Sequence, residues 1–287
     1  PVISQSWTSG EPETIFEKAD HTVSVDIEHP RLAPSPMENR AIAVKFDDEA
    51  NQATVYVASQ TPHRAQQELS RILDIPKENI RVISIDVGGA FGMKASLYPE
   101  EVFTVWAAFQ LKRSVKWTST RNEDLLTATH GRGLRSQGKL AFDKTGTFLA
   151  LSADVEAPLG HWLPNSAAIP AWNAARILPG PYRIDHISAT TSGRLSNTAP
   201  VGIYRGAGRP EAALLMERLV DAAARKLKMD PVKIRSRNLL TEEELPRTNM
   251  AGAILDSGTY RAALDQLVQR CDYQSLRQSV LEQRKAG

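Results

Sequence analysis

The chain has 287 residues with a formal net charge of +2, and 41% of its residues are hydrophobic. This composition excludes a mainly disordered chain, because enough apolar surface is available to offset the entropy of ordering, and the small basic excess excludes a nucleic-acid-binding surface. No apolar run is long enough for a membrane span, no signal peptide is recognisable, and the single cysteine, Cys271, excludes an intrachain disulfide and a cysteine-ligated cluster.

The first part of the chain alternates between strand-like and helix-like patterns. A helix over residues 62–73 begins at a proline and lies between two strands, so a strand–helix–strand unit is predicted. A second helix is predicted over residues 99–111. The strands predicted from alternating, β-branched runs cover residues 21–28, 41–46, 53–59 and 80–87.

The second part begins with a hairpin and becomes helical. Residues 158–181 contain two tryptophans and five prolines, which predicts an irregular segment that is either functional or a surface excursion packed by its own aromatic residues. Strands followed by helices predict an α+β fold with mixed sheets and packed helices, with possible sub-domains at 20–130 and 131–287. The predicted strands are 136–142, 148–155 and 184–192, and the predicted helices are 211–228, 231–240 and 259–270.

A glycine cluster, Gly88-Gly89-Ala90-Phe91-Gly92-Met93-Lys94, directly follows a predicted strand. Glycines at a strand end let the main chain approach a ligand and present several N–H groups, which favours an anionic partner. The spacing is neither that of a P-loop nor that of a dinucleotide fingerprint. A bulged strand end without any ligand is an equally good interpretation.

A second motif, Arg205-Gly206-Ala207-Gly208-Arg209, precedes the longest predicted helix. Two arginines and a helix N-terminus favour an oxyanion or phosphate, although a capping loop with solvated arginines fits equally well. No pair among the six histidines has the spacing of a helical metal site.

Three runs together resemble the molybdenum hydroxylases, the family of xanthine dehydrogenase, aldehyde oxidoreductase and the large subunit of carbon monoxide dehydrogenase. They are residues 60–63, 86–94 and 204–209, and their order and spacing agree with the family. Residues 37–40 and 256–260 also look like the family. The resemblance implies that the chain is the first half of a molybdenum-cofactor-binding domain.

The resemblance implies a molybdopterin cofactor, in its cytosine dinucleotide form, that hydroxylates a substrate carbon with oxygen from water. By motif match, Gln60 hydrogen-bonds an oxygen ligand of molybdenum, and Phe91 lies beside the metal without ligating it directly. Arg205 then stabilises negative charge at the substrate end of the pocket. Gln60 and Arg205 are the expected catalytic residues, and the expected cofactor-binding residues are Gln60, Gly88, Gly89, Ala90, Phe91, Gly92, Arg205 and Gly206.

Departures from the family pattern narrow the expected substrate. The carbon monoxide enzymes have a copper-binding cysteine after the arginine, where this chain has Gly206, so no copper is expected. Purine-oxidising members have a glutamate and a phenylalanine at the positions of Ala95 and Ala207, which argues against a purine. The resemblance leaves an aldehyde or another heterocycle as the small organic substrate.

The family's general base is a glutamate far downstream of these motifs, so we expect a processed or excised piece, or one split subunit, that is inactive alone. The expected partners are the remainder of the large subunit and iron–sulfur and flavin subunits, and the expected location is cytoplasmic. The alternative is a non-catalytic binding or interaction domain whose glycine-rich loops are structural. A phosphate- or nucleotide-binding enzyme is a third and weaker interpretation.

Overall fold

The computed structural model describes residues 1–286, which form two β-sheets, each with its own apolar core. Two short ribbons, β3–β8 and β12–β13, complete the pairing. The strands are β1 (Ile3–Ser9), β2 (His21–Glu28), β3 (Arg31–Leu32), β4 (Ala41–Asp47), β5 (Gln52–Val57), β6 (Ile80–Ile83), β7 (Val115–Thr118), β8 (Gly131–Arg132), β9 (Arg135–Phe142), β10 (Phe148–Pro158), β11 (His186–Arg194), β12 (Arg247–Thr248) and β13 (Ile254–Leu255).

Nine α-helices lie within residues 1–286, and five of them pack directly on the two large sheets. Short 3-10 turns occupy Lys77–Asn79, Met93–Ala95 and Glu242–Glu244. The helices are α1 (Pro12–Lys18), α2 (Pro62–Leu73), α3 (Pro99–Leu111), α4 (Arg121–Thr127), α5 (Ile169–Arg176), α6 (Arg209–Leu227), α7 (Pro231–Asn238), α8 (Tyr260–Arg270) and α9 (Tyr273–Ala286). The five that pack on the large sheets are α1, α2, α3, α5 and α6.

The larger sheet has the strand order β1-β11-β10-β9-β2, with β10 and β11 parallel and the other pairs antiparallel. Helices α5 and α6 cover one face of it. Helix α6 buries Leu215, Leu219 and Ala223, which recur every four residues and so form one stripe. A Cβ on Gly138 would lie 2.9 Å from both leucines, so α6 packs closely on β9. This packing fixes the start of α6 and the loop that precedes it.

The smaller sheet has the order β6-β5-β4-β7, with α2 and α3 on one face. Strands β5 and β6 are parallel and are connected by α2, as the strand–helix–strand pattern predicts. Because parallel strands end at the same edge of a sheet, the segments that follow β5 and β6 meet there. Gln60 follows β5 and the glycine cluster follows β6, so the fold brings these two motifs together.

A buried arginine ties the smaller sheet to its helices. The Arg40 side chain is fully buried, its Nε donates to Asp124 of α4 at 2.8 Å, and its guanidinium lies 4.1 Å from the centre of the Tyr98 ring at the start of α3. A buried guanidinium is stable only with such compensating contacts. Arg40 therefore fixes α3 and α4 against β4.

The α+β fold with mixed sheets and packed helices is confirmed, and α2 and α3 have the predicted bounds. The division into 20–130 and 131–287 stays a prediction, and β2 pairs with β9 across its boundary. The sequence predicts an irregular segment over residues 158–181, but this segment contains α5. Strand β6 ends at Ile83 rather than at the predicted residue 87. Within residues 1–286, no helix has the length and apolar character needed to cross a membrane.

Candidate functional site

The three sequence motifs converge on one open cleft of about 480 Å³. One side comes from the segment after β5 and the turn after β6, and the other from the loop before α6. Of the predicted site residues, five line this cleft and three do not. The lining residues are Gln60, Phe91, Gly92, Ile203, Tyr204, Arg205, Gly206 and Ala207.

Gln60 is held by the glycine turn that it faces. Its main-chain N–H donates to the carbonyl oxygen of Lys94 at 2.9 Å, and its side-chain Oε1 accepts the N–H of Gly92 at 2.9 Å. Since the oxygen is used within the protein, the side-chain NH₂ group is the end that remains for a ligand. Gln60 therefore presents a neutral hydrogen-bond donor to the cleft.

The glycine turn of residues 88–92 is anchored by a charged pair behind it. The N–H of Gly88 donates to Glu38 Oε2 at 2.8 Å, and the buried Lys94 Nζ lies 2.7 Å from the same oxygen. Burial acts to raise the pKa of Glu38, but the hydrogen bonds from Lys94 and Gly88 outweigh it, so the pKa is lowered. The carboxylate therefore stays ionised and holds the turn in place.

The anchoring explains why Gly88, Gly89 and Ala90 do not line the cleft. Gly88 packs on Glu38, where a Cβ would lie 2.5 Å from the Glu38 Cβ, and Ala90 is buried. Phe91 is the residue that faces outward, with a φ of +53° and 43% of its surface exposed. A non-glycine residue in this region of φ is uncommon and indicates a local constraint.

The loop of residues 204–208 contacts the glycine turn directly. The N–H of Arg205 donates to the carbonyl oxygen of Phe91 at 2.9 Å. On the other side, the buried Asn173 of α5 donates to the carbonyl oxygen of Ala207 at 2.7 Å. A Cβ on Gly92 would lie 2.3 Å from the carbonyl oxygen of Ile203, so the two loops touch through their main chains. The width of the cleft is therefore set by main-chain contact.

The lining of the cleft combines hydrogen-bond donors with positive charge. The N–H groups of Phe91 and Gly206 donate to no acceptor among the described residues, and the exposed guanidinium of Arg205 forms no ion pair there. Among the described residues, no carboxylate lines the cleft. Such a set of donors fits an oxygen-rich or anionic group.

This donor set also fits a metal that is held by an organic cofactor. Within residues 1–286, no group of three or more His, Cys, Asp or Glu side chains is arranged to hold a metal ion. The cleft instead offers an amide, main-chain N–H groups and a guanidinium, which suit the oxygen atoms of a pterin-bound metal rather than a bare cation.

A larger cleft, of about 860 Å³, lies at the ends of β2, β9 and β10, and none of the predicted site residues lines it. Three of its charged groups are already used within the protein. Arg135 pairs with Asp26, and Arg31 donates to the carbonyl oxygens of Pro158 and Ala199. We place the candidate site in the smaller cleft, because the sequence motifs converge there and the guanidinium of Arg205 forms no ion pair among the described residues.

Sequence reasoning missed two kinds of residue at the site. Ile203, Tyr204 and Ala207 line the cleft but are not among the predicted site residues. All three lie in or next to the arginine motif, and Ala207 carries a further signal because purine-oxidising members have a phenylalanine at its position. The Glu38–Lys94 pair anchors the turn across 56 residues of chain. Its signal was the family-like run at residues 37–40, which carried no assigned role.

Comparison with known proteins identifies the family. The family model described as "Molybdopterin cofactor-binding domain" matches residues 1–239. The carbon monoxide dehydrogenase large chain of Hydrogenophaga pseudoflava is 34% identical over 280 residues, which cover 95% of this chain and 35% of the relative. The nicotine 6-hydroxylase large subunit of Paenarthrobacter nicotinovorans is 33% identical over 282 residues, which cover 97% of this chain and 34% of the relative.

Solved structures agree with these relatives. Quinoline 2-oxidoreductase from Pseudomonas putida 86 has a TM-score of 0.94 at 30% identity, over 100% of this chain and 37% of that chain. Carbon monoxide dehydrogenase from Oligotropha carboxidovorans also has a TM-score of 0.94, at 28% identity, over 99% of this chain and 36% of that one. The chain spans about a third of the length of these relatives. The resemblance to the molybdenum hydroxylases is confirmed, and the chain belongs to the molybdopterin cofactor-binding domain family.

Proposed function

We propose that this chain forms one side of the molybdenum site in the large subunit of a molybdenum hydroxylase, which oxidises an aldehyde or a heterocycle with oxygen derived from water. The observation that carries the proposal is the convergence of Gln60, Phe91 and Arg205 from three separate segments on one cleft. The family match supports the cofactor.

Each of the predicted site residues has a role that its chemistry supports. When bound, the molybdenum cofactor supplies a two-electron oxidation of a substrate carbon. The NH₂ group of Gln60 donates to an oxygen atom of the bound cofactor, and the N–H groups of Phe91 and Gly206 are further donors of this kind. The guanidinium of Arg205 stabilises negative charge that develops on the substrate. Gly88, Gly89, Ala90 and Gly92 shape the turn that presents Phe91.

The proposed cofactor is molybdopterin in its cytosine dinucleotide form, without copper. Gly206 brings no sulfur to the cleft, and Cys271, exposed at the end of α8, is not among the lining residues. A soft ligand such as a thiolate is what copper(I) prefers. We therefore do not assign carbon monoxide as the substrate, although two of the relatives above are named for it.

Within residues 1–286, the lining of the cleft contains no carboxylate that could act as a general base. We propose that the base and further cofactor contacts come from the remainder of the large subunit, and that electrons leave through iron–sulfur and flavin subunits. The 287-residue chain alone is then inactive. Turnover of an aldehyde or a heterocycle by the isolated chain would contradict this part of the proposal.

The test uses the whole protein that contains this chain. Metal and pterin analysis should find molybdenum and molybdopterin and no copper. In turnover assays the protein should oxidise an aldehyde or a nitrogen heterocycle but not carbon monoxide. Gln60→Ala should retain molybdenum but lower kcat by about 10²–10³-fold, the usual effect of losing one preorganised donor. Gln52→Ala, at the exposed start of β5, is the matched control and should change neither the molybdenum content nor kcat.

Two results would overturn the proposal. A purified protein that lacks both molybdenum and pterin would favour the alternative, a non-catalytic binding or interaction domain. Unchanged turnover in Gln60→Ala, with molybdenum present, would remove Gln60 from the site.

A further inference from the structure

The guanidinium of Arg132 lies behind the loop of residues 204–208 and holds two consecutive carbonyl groups. Its Nη1 donates to the carbonyl oxygen of Tyr204 at 3.2 Å, and its Nη2 donates to that of Arg205 at 2.9 Å. The guanidinium carbon also lies 4.9 Å from the centre of the Tyr204 ring. Because a planar guanidinium can hold two acceptors at once, Arg132 fixes two successive peptide planes of the loop.

The main chain around Arg132 is pressed against the same loop. A Cβ on Gly131 would lie 2.2 Å from the Cβ of Tyr204, so β8 packs directly on this side chain. Arg132 itself has a φ of +58°. A residue other than glycine keeps this conformation only where surrounding contacts determine it. The contacts with residues 204 and 205 are such contacts.

Glu211, in the first turn of α6, holds Arg132 from the other side. Nη1 of Arg132 lies 3.5 Å from Glu211 Oε1, and Glu211 is 1% exposed. Neither carboxylate oxygen has a hydrogen-bond partner among the described residues. The nearby His29 does not supply positive charge, because burial lowers its pKa. Since a buried carboxylate needs a counter-charge, Arg132 and Glu211 stabilise one another.

We propose that Arg132, held by Glu211, is a positioning residue that directs the Gly206 N–H into the cleft. In a trans peptide the C=O and N–H groups point in opposite directions. The Arg205 carbonyl and the Gly206 N–H belong to one peptide, so holding that carbonyl behind the loop turns the N–H toward the open side. The inference rests on the proposed function only for the identity of the acceptor, an oxygen atom of the bound cofactor.

Amide hydrogen exchange resolved by residue tests the positioning role in the 287-residue chain. The N–H groups of Arg205 and Ala207 are hydrogen-bonded to Phe91 and Tyr204, so they should be protected. In Arg132→Gln they should exchange about tenfold faster or more, while exchange in α7 is unchanged. Arg132→Lys keeps the charge opposite Glu211 but not the planar fork, so it should fold and show the same local effect.

Arg183→Gln is the matched control. It also removes a guanidinium that holds two oxygen atoms, both of Glu244, and its hydrogen bonds involve neither β8 nor residues 199–208. It should leave exchange at Arg205 and Ala207 as in the wild type. In the cofactor-loaded whole protein, Arg132→Gln should also change the electron paramagnetic resonance signal of pentavalent molybdenum at unchanged metal content, whereas Arg183→Gln should not.

Unchanged exchange at Arg205 and Ala207 in both Arg132 variants would overturn the inference. Equal acceleration throughout the chain would do so as well, because Arg132 would then act only on global stability. Loop-specific acceleration in a protein found to lack molybdenum would uphold the positioning role and reject the proposed function, so the two failures are distinguishable.

Discussion

The contact between Gly92 and Ile203 can be tested by adding one methyl group. In Gly92→Ala, the new Cβ would lie 2.3 Å from the carbonyl oxygen of Ile203 and 2.8 Å from its carbonyl carbon. Because both atoms belong to the main chain, the two loops must separate to admit it. Forcing extra atoms into a packed site costs about 1–3 kcal/mol. The φ of +104° adds about 1–2 kcal/mol for a residue with a Cβ.

The matched control is Gly180→Ala. Gly180 has a φ of +68°, and a Cβ there would meet nothing within 4 Å. This substitution should therefore lower the free energy of unfolding only by the cost of a positive φ for a residue with a Cβ, about 1–2 kcal/mol. Urea unfolding of the 287-residue chain, followed by circular dichroism, should give a loss of about 2–5 kcal/mol in the free energy of unfolding for Gly92→Ala. Equal losses in the two variants would refute the direct contact between the loops.

Two further substitutions test buried charges. Burial raises the pKa of Glu101 to about 7; because the folded pKa exceeds the ordinary value of 4.5, the carboxyl lowers stability increasingly as pH rises from about 4.5 to 7. The free energy of unfolding of Glu101→Gln should therefore rise relative to that of the wild type by up to about 3 kcal/mol between pH 5 and pH 8. A difference in urea unfolding that does not change with pH would contradict this. Lys94→Met removes the cation that pairs with Glu38. It should lower the free energy of unfolding by about 1–3 kcal/mol and raise the pKa of Glu38. A carboxyl titration by nuclear magnetic resonance that is the same in variant and wild type would show that the pair is not formed.

The elements that the sequence predicts well are those whose signal is local. Helices α2 and α3 begin at prolines and carry regular apolar spacing, which sequence alone displays. Strand β6 ends earlier than predicted because the Ser84 hydroxyl donates to the carbonyl oxygens of Val57 and Ser59 and takes the chain out of the sheet. The prolines and tryptophans of residues 158–181 indicate a loop, yet Pro170 occupies the first turn of α5, where proline is tolerated.

The cleft residues could be found because they lie inside three short motifs. Their supports could not, since they depend on pairs that are distant in the sequence. Glu38 meets Lys94 and Arg132 meets Arg205 only after the two sheets are assembled, and neither spacing carries a local pattern. Sequence reasoning therefore identified five of the residues that line the cleft and missed the pairs that hold them in place.

Main-chain contact at the cleft has a consequence for protein engineering. In a library that replaces every residue in turn, Gly92 and Gly131 should tolerate no side chain. Each leaves space only for a hydrogen atom, Gly92 beside Ile203 and Gly131 beside Tyr204. Ile203 and Ala207 also line the cleft, whereas Tyr204 packs on Gly131 and lies beneath Arg132. In a protein with the proposed function, selection for new substrates should therefore change Ile203 and Ala207 first, while the main-chain frame around them stays the same.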